Sequence, residues 1–264
     1  MFRGGNLLKR RQQAKRNVRI PPQLSLRLWM GYPVQIMNYV ISDIHGEFPR
    51  YQQMLETINF QPEDTLYVLG DVIDRGAQGI EIIEDIMARA NVVPLLGNHE
   101  KMCLNAFSRP INPEAMSLWR DYNGGNTTYR ALKYRRTAEQ RRKILSWMES
   151  LPDHLNITVG SKSFHLVHAF PADNTEARIW TRPDYSDPVP FQDNRVVIVG
   201  HTVTAHFLGE QSPHDAMRAL ESMEEHFLIV HAPHFIAIDC GCGNRTPARR
   251  LACLRLEDFQ EFYF

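Results

Sequence analysis

The stretch "TLYVLGDVIDRG" at residues 65–76 joins an apolar segment to a cluster of charges. The apolar half is typical of a buried strand, and the second half places Asp71, Asp74 and Arg75 between two glycines. Carboxylates at the end of a buried strand are costly to remove from water unless positive charge meets them. The sequence therefore raises two candidates for that charge, which are the neighbouring arginine and a bound metal ion.

The segments around this stretch alternate between strand and helix patterns. Predicted strands lie at 38–42, 65–70 and 91–97, and predicted helices at 49–58, 79–90 and 99–107. Strand–helix–strand repetition predicts right-handed crossovers and a mainly parallel sheet. The polar motifs "SDIHG", "GDVIDRG" and "GNHE" directly follow the three strands. Open α/β sheets form their sites at this end of the strands, so we expect the motifs to meet.

The second half of the chain changes character. Residues 113–150 have helical patterns, and the chain from residue 155 onward contains the β-like segments "LNITVG", "KSFHLVHAF", "NRVVIVGHT", "HFLIVHA", "HFIAIDCGCG" and "RRLACLRLE". We predict an α/β fold in which these segments form a second sheet, giving two packed mixed β-sheets flanked by helices. Residues 173–194 are rich in Pro and Asp and are predicted to form a long surface loop.

The composition limits the class of protein. With 43% hydrophobic and 23% charged residues, the chain resembles ordinary globular proteins. No apolar run approaches the roughly 18–20 residues that a membrane span needs. Four cysteines in 264 residues do not make a disulfide framework, so we expect a reducing, cytoplasmic location.

The net charge of zero conceals an asymmetry between the first 36 residues and the rest. Residues 1–36 contain eight Lys or Arg and no Asp or Glu, whereas residues 37–264 contain 22 basic and 30 acidic residues. Such a basic segment could be an arm for nucleic acid or for an anionic membrane surface. The interpretation we favour is an N-terminal extension, disordered or outside the native domain, with residues 37–264 as one domain that opens on "MNYVISDIHG".

Six side chains of metal-ligating type follow apolar strands: Asp43, His45, Asp71, Asn98, His168 and His201. Asp43 and His45 are two residues apart, so on an extended strand end they would point the same way. Carboxylate, amide and imidazole ligands suit Mn²⁺, Fe²⁺ or Zn²⁺ better than a metal that prefers thiolates. A central aspartate can also bridge two ions, which a single histidine cannot do.

The ordered set "SDIHG", "GDVIDRG", "GNHE", "VHA" and "GHT" resembles the signature of the calcineurin-like metallophosphoesterases. Within that superfamily the chain resembles the short bacterial type of the phosphoprotein phosphatase group. This type includes bacterial serine/threonine phosphatases and diadenosine tetraphosphatases. "NGGNTT" and the ending "IDCGC…RLACLRL" are similar to it as well, so the resemblance covers about residues 38–257. It implies a four-layer α/β sandwich and two divalent ions, with Mn²⁺ expected first and Fe or Zn as alternatives.

The resemblance also implies a role for each motif residue. Asp43 and His45 would bind the first ion, Asp71 would bridge both ions, and the second would be bound by Asn98, His168 and His201. Arg75 would contact the substrate phosphate. His99, paired with Asp74, would be the general acid that protonates the leaving oxygen.

A second phosphate-binding arginine is expected between the last two metal histidines. Arg178, Arg182 and Arg195 all lie in that interval, and we favour Arg182 because Trp180 resembles a tryptophan near the corresponding arginine of the short bacterial type. The chain departs from the family in having Phe170 where glycine is common. A ring at that position is expected to narrow one side of the cleft.

The function that the resemblance best supports is a protein serine/threonine phosphatase, in which a metal-bridging hydroxide attacks phosphorus. The alternative is a dinucleoside tetraphosphate hydrolase; Asp74 and "GNHE" favour the phosphatase. A noncatalytic phosphopeptide-binding module is a third hypothesis, but such a module would be expected to lack a ligand or the acid. The implied partner is a phosphorylated protein or a small phosphoester. No membrane and no eukaryotic regulatory subunit is implied, and nucleic acid only through residues 1–36.

Overall fold

Strands and helices alternate through the first part of the structure, nearly as predicted. A computed structural model describes residues 35–207 and 227–264. Its strands are β1 (Asn38–Ile41), β2 (Thr65–Val68), β3 (Val92–Pro94), β4 (His154–Val159), β5 (Lys162–Val167), β6 (Val196–Val199), β7 (Val230–His231), β8 (Ile236–Ala237), β9 (Ala252–Arg255) and β10 (Glu261–Tyr263).

The helices lie mainly between the strands of the first sheet and in the segment that follows it. They are α1 (Phe48–Thr57), α2 (Gly79–Ala88), α3 (Asn98–Ala106), α4 (Pro113–Ser117), α5 (Asn126–Tyr134), α6 (Ala138–Glu149) and α7 (Thr175–Trp180). A π-helical turn at Leu118–Tyr122 joins α4 to α5, and a 3₁₀ turn lies at Thr204–Phe207. No helix within the described ranges is both long and apolar enough to cross a bilayer.

The strands form two sheets of five. The first has the order β10-β9-β1-β2-β3, with parallel pairing among β1, β2 and β3 and antiparallel pairing of β9 with β1 and β10. The second has the order β4-β5-β6-β8-β7, with parallel pairing of β6 with β5 and β8 and antiparallel pairs at both edges. The predicted α/β fold of two mixed sheets flanked by helices is confirmed.

The alternation of side chains along β1 shows how the layers pack. Tyr39 and Ile41 point to a core shared with the helices, whereas Val40 points to a core between the two sheets. Leu166 and Ile198 of the second sheet meet Val40 in that inner core. Because both faces of the first sheet are covered, most residues of its strands β1 and β2 are apolar, and Val40, Ile41, Leu66 and Val68 are fully buried.

Three elements differ from the predicted arrangement. The segment "RRLACLRLE" supplies β9, which pairs antiparallel with β1 in the first sheet rather than joining the second. β10 at the chain end was not predicted and pairs with β9. The predicted loop at 173–194 contains α7, which begins where the Asn174 side chain accepts a hydrogen bond from the Ala177 N–H at 2.9 Å. An N-cap asparagine before an apolar residue that becomes buried was the signal for this helix.

The extension predicted for residues 1–36 falls almost wholly on residues outside the described ranges. The described residues from Ile36 onward belong to one compact unit. At its start the Met37 N–H donates to Asp64 Oδ1 at 2.9 Å, and the Met37 carbonyl accepts from the Thr65 N–H at 2.9 Å. The division at residue 37 therefore remains a prediction.

We expect a variant that starts at Met37 to fold and to turn over substrate at the rate of the full chain. The new terminal ammonium group would still donate to Asp64, and the β1 core residues would all be retained. Thermal unfolding and turnover, measured for both chains side by side, check this. A melting temperature lowered by several degrees, or loss of most activity, would show that residues 1–36 belong to the domain.

Candidate active site

The loops that follow β1 and β2 run side by side and bring their polar residues together. The Asp43 N–H donates to the Gly70 carbonyl at 3.2 Å, and the His45 N–H donates to the Asp71 carbonyl at 2.9 Å. Asp43 and His45 have φ angles of 52° and 47°, which is left-handed backbone. The prediction that an extended strand end aligns these two side chains is therefore wrong. They converge because the loop turns at both positions.

The loops after β2 and β3 touch each other closely. A Cβ added at Gly70, where φ is +91°, would lie 2.6 Å from the Gly97 backbone. A Cβ at Gly97 would lie 2.2 Å from Asp71 Oδ1. Glycine is therefore required on both sides of this contact, and it lets Asp71 reach the start of α3.

A buried carboxylate binds the same two loops together. Glu100 Oε2 accepts from the N–H groups of Asp71 at 2.9 Å and Gly97 at 3.1 Å. Its Oε1 accepts from Val72 at 2.9 Å and Ile73 at 3.3 Å. Burial raises the pKa of Glu100, and the backbone donors act in the opposite direction. Glu100 is the last residue of "GNHE", and no role for its side chain was predicted from that motif.

The first set of predicted ligands lies around one oxygen of Asp71. His45 Nε2 is 3.6 Å from Asp71 Oδ2 and 3.9 Å from Asp43 Oδ1. His45 Nδ1 lies 3.0 Å from the Ile73 carbonyl, which fixes the ring. The other oxygen of Asp43 accepts from Ser42 Oγ and from the His201 N–H, so Oδ1 is the one directed at His45.

The second set lies around the other oxygen of the same aspartate. His168 Nε2 is 3.4 Å from Asp71 Oδ1 and 2.9 Å from Asn98 Oδ1. His201 Nδ1 is 3.0 Å from Asn98 Oδ1, while its Nε2 is buried without a hydrogen-bond partner in the described ranges. The structure thus brings all six predicted metal-ligating residues together, with the two Asp71 oxygens facing different groups.

The hydrogen bonds of the imidazole rings show which ring nitrogens are available to bind a cation. His45 and His168 each direct Nδ1 at a backbone carbonyl, so a neutral ring carries its lone pair on Nε2. For His168 that lone pair would face oxygens of Asp71 and Asn98, acceptor against acceptor. Burial lowers the pKa of His168, but Asp71 and Asp43 outweigh it, and the pKa is raised. The position favours positive charge, and the donor set fits divalent ions such as Mn²⁺, Fe²⁺ or Zn²⁺.

Among residues 35–207 and 227–264, two groups of three residues have potential ligand atoms that all lie within 4.8 Å of one another. One contains His45, Asp71 and His99, and the other contains Asp71, His168 and His201. Asp71 belongs to both groups. His99 is itself a member of the first group, in which Asp43 was predicted instead, so its role needs a test of its own.

His99 and Asp74 form the predicted pair. His99 Nδ1 is 2.7 Å from Asp74 Oδ2, and both side chains are buried. The opposite ring nitrogen, Nε2, lies 3.4 Å from Arg75 Nη2 and 3.9 Å from Asp71 Oδ2. Burial raises the pKa of Asp74 to about 7 and lowers the pKa of His99 to about 4, to which the nearby Arg75 also contributes. His99 therefore directs one nitrogen at a carboxylate and the other at the cleft.

Arginines line the open side of this cleft. Arg75 has φ 62° and directs its guanidinium across the opening, where Nη1 donates to Asn244 Oδ1 at 3.3 Å. Arg182 also lines the cleft and donates to the His201 carbonyl at 3.2 Å. The other two candidates are engaged elsewhere: Arg178 pairs with Asp153, and Arg195 pairs with Asp193 and Asn156.

Several cleft residues were missed by the sequence analysis. Asp239 follows β8 as Asp43 follows β1, and the same strand-end rule could have found it. Burial and the charge of Asp43 raise the pKa of Asp239 to about 7. Asn123, Asn244 and His206 also line the cleft.

Phe170 does not narrow the cleft, so that prediction is wrong. Its side chain packs with Phe235 at a ring distance of 5.6 Å, in a core on the far side of the second sheet. The direction of a side chain just after a strand depends on how the loop turns, which its sequence position did not reveal.

The sequence matches one protein family over more than half of its length. A sequence model described as calcineurin-like phosphoesterase matches residues 39–205. A symmetrical bis(5'-nucleosyl)-tetraphosphatase of Xylella fastidiosa is 30% identical over 141 residues, covering 50% of this chain and 41% of that protein. Serine/threonine-protein phosphatase 2 of Salmonella typhimurium is 28% identical over 138 residues, covering 52% of this chain and 60% of that protein. The alignments thus span less than two thirds of either relative.

Solved structures share the fold at low sequence identity. One assigned as a diadenosine tetraphosphatase has a TM-score of 0.57 and 14% identity, covering 88% of this chain and 94% of that one. A protein serine/threonine phosphatase from Saccharomyces cerevisiae has a TM-score of 0.51 and 14% identity, covering 84% and 72%. At such identity the likeness concerns the fold alone.

We expect Glu100→Gln to lower the free energy of unfolding by about 2 kcal/mol or more, because the amide NH₂ would face backbone donors that lose their acceptor. Urea unfolding of the variant and the parent chain measures this. Glu56→Gln is the matched control, since Glu56 is exposed on α1. Equal stability of Glu100→Gln and the control would show that the four hydrogen bonds contribute little.

Proposed function

Because the chain belongs to the calcineurin-like phosphoesterase family, we propose that it hydrolyses phosphoserine and phosphothreonine in proteins. The observation that carries this proposal is the buried pair of His99 and Asp74, 2.7 Å apart, directed at the cleft beside the ligand cluster. A serine or threonine alkoxide is a strong base, and its departure requires a proton from a group in this position.

The metal ligands in this proposal are the six clustered residues. Asp43 and His45 would hold one divalent ion, Asn98, His168 and His201 would hold the other, and Asp71 would be shared between the two. Two divalent ions, when bound, would supply Lewis acidity and would lower the pKa of water at the site. The protein contributes the orientation of these ligands, through the carbonyls of Ile73 and Leu69 and through Glu100.

Arg75 and Arg182 bind the phosphate from the open side of the cleft. A guanidinium group matches the oxygens of a phosphate with parallel hydrogen bonds, and its charge balances the negative charge that builds on them. Arg75 Nη2 lies beside His99 Nε2, so a phosphate bound to Arg75 places its ester oxygen near the imidazole. The arginine thus orients the bond that breaks.

His99 donates the proton to the leaving oxygen. Its pKa is lowered by burial in the free protein. A dianionic phosphate beside Nε2 acts in the opposite direction and favours the imidazolium form. Asp74 accepts from Nδ1 and so directs the labile proton of Nε2 at the substrate.

Hydrolysis of dinucleoside tetraphosphates is the second candidate, because several relatives are symmetrical tetraphosphatases. In that reaction the leaving group is a nucleotide phosphate, which is a weak base and needs little help from an acid. Hydrolysis of phosphoserine therefore needs a proton from His99, oriented by Asp74, whereas hydrolysis of the tetraphosphate needs little help from either residue.

A substrate panel with Mn²⁺ separates these candidates. We expect phosphoserine and phosphothreonine peptides to be hydrolysed with a higher kcat/KM than diadenosine tetraphosphate, with p-nitrophenyl phosphate as a reference. A preference for the tetraphosphate of more than about tenfold, equivalent to roughly 1.4 kcal/mol, would favour the second candidate instead.

We expect His99→Asn to retain two metal ions and to slow turnover of a phosphoserine peptide by about 10²–10⁴-fold, the usual contribution of a general acid. Turnover of p-nitrophenyl phosphate should fall much less, because its leaving group is a weak base. His234→Asn, on an exposed histidine, is the control. Equal losses on both substrates with metal retained would remove His99 from the acid role, and loss of metal would make it a ligand.

Asp71→Asn is expected to abolish activity and to lower the bound metal from two ions per chain, because an amide offers one acceptor oxygen in place of two. Elemental analysis after gel filtration in Mn²⁺ measures the ratio, with Asp173→Asn as the control on an exposed aspartate. A parent chain with one ion or none would contradict the two-ion site.

A further inference from the structure

Trp119 contacts Asp74, the carboxylate that pairs with His99. It is fully buried on the π-helical turn Leu118–Tyr122, and its Nε1–H donates to Asp74 Oδ2 at 2.7 Å. Turns of this kind are uncommon and occur often at functional sites. No role for Trp119 was predicted from the sequence.

The oxygen that Trp119 contacts is the one that serves the histidine. Asp74 Oδ2 accepts from both Trp119 Nε1 and His99 Nδ1, each at 2.7 Å, whereas Oδ1 is buried without a partner within the described ranges. A carboxylate with a single donor can rotate about its terminal bond, since that torsion is broad. Two donors that converge on one oxygen fix the carboxylate plane, and with it the ring of His99.

The segment "NGGNTT" at 123–128 places the indole. A Cβ on Gly125 would lie 2.5 Å from the Trp119 ring, so only glycine permits this approach. The Gly125 N–H donates to the Trp119 carbonyl at 3.0 Å, and Phe107 packs against the indole at 5.8 Å. The indole therefore has little freedom to leave Asp74.

The same segment also fixes the backbone on which Asp74 and Arg75 stand. Thr128 Oγ1 accepts from the Asp74 N–H at 3.0 Å, and the Gly124 carbonyl accepts from the Arg75 N–H at 3.0 Å. Asp74 and Arg75 both have positive φ, 71° and 62°, so these bonds offset an unfavourable backbone. The segment 123–128 thus supports both the Trp119 contact to the Asp74 side chain and the backbone of Asp74 and Arg75.

We propose that Trp119 is a positioning residue, which acts through Asp74 to hold His99 with Nε2 directed at the leaving oxygen. The inference rests on the proposed function, because it assumes that His99 is the acid. A positioning role and a purely structural role make different predictions. If Trp119 positions His99, loss of its indole N–H should slow turnover more for substrates whose leaving group needs a proton.

The test is Trp119→Phe in the full chain, which keeps an aromatic ring in the core and removes the donor. We expect kcat for a phosphoserine peptide to fall about tenfold, a fraction of the whole contribution of a general acid. KM and turnover of p-nitrophenyl phosphate should stay within about threefold of the parent chain. Trp147→Phe is the matched control, since Trp147 is half-buried on α6, and it should leave both rates unchanged.

A double-mutant cycle shows whether the effect passes through Asp74. In an Asp74→Asn background, Trp119→Phe should cause no further loss on the phosphoserine peptide, because the partner is already altered. Independent, multiplicative losses would overturn the inference, and so would equal losses on both substrates.

If His99→Asn itself shows no leaving-group selectivity, the proposed acid role fails. If only Trp119→Phe lacks selectivity, the acid role stands and this inference fails.

A spectroscopic measurement covers the case in which Trp119→Phe does not fold. The indole N–H of Trp119 should appear downfield among the four tryptophan signals of the ¹⁵N-labelled full chain, because it donates to a carboxylate. Its signal should shift in both Asp74→Asn and His99→Asn, since all three groups share one oxygen. An indole signal that is unchanged in both variants would overturn the inference.

Discussion

The carboxylate of Glu100 is the interaction on which the site depends most directly. It accepts hydrogen bonds from four backbone N–H groups of the loops after β2 and β3. Those loops lead to Asp71, Asp74 and His99. Eight non-glycine residues in the described ranges have positive φ, and six of them are predicted site residues. Left-handed backbone costs roughly 1–2 kcal/mol per residue. Such turns persist only where surrounding hydrogen bonds and packing determine them, and the Glu100 carboxylate supplies four of those bonds.

The site also requires both sheets. Asp43, Asp71 and Asn98 follow strands of the first sheet, whereas His168 and His201 follow β5 and β6 of the second. The His201 N–H donates to Asp43 Oδ2 at 3.0 Å, and His168 Nδ1 lies 2.6 Å from the Leu69 carbonyl, so polar contacts join the sheets at the cleft. The apolar core between the sheets fixes the distance between them, and the distances among the clustered polar side chains follow from it. A packing change in that core would therefore act on the site as well as on stability.

Much of this arrangement could be predicted from sequence, because strand ends are local features. The motifs after β1, β2 and β3 and the two later histidines were placed correctly, since parallel strands bring their carboxyl ends to one edge. The predictions that were wrong or missing concern features that depend on contacts between residues distant in sequence. The pairing of β9 with β1 joins residues more than 200 positions apart, and the direction of Phe170 depends on the turn after β5. Trp119 was missed because its partner Asp74 lies 45 residues away. Asp239 could have been found, because it follows an apolar strand as Asp43 and Asp71 do.

In the proposed function, the two oxygens of Asp71 would serve two separate cation positions, while His99 would remain outside both and direct Nε2 at the substrate. Anomalous diffraction at the manganese edge, from crystals grown with Mn²⁺, tests it most directly. We predict two anomalous peaks, one near Asp71 Oδ2, Asp43 and His45 and one near Asp71 Oδ1, Asn98, His168 and His201, with His99 coordinating neither. A single peak, or a peak within bonding distance of His99 Nε2, would contradict the account.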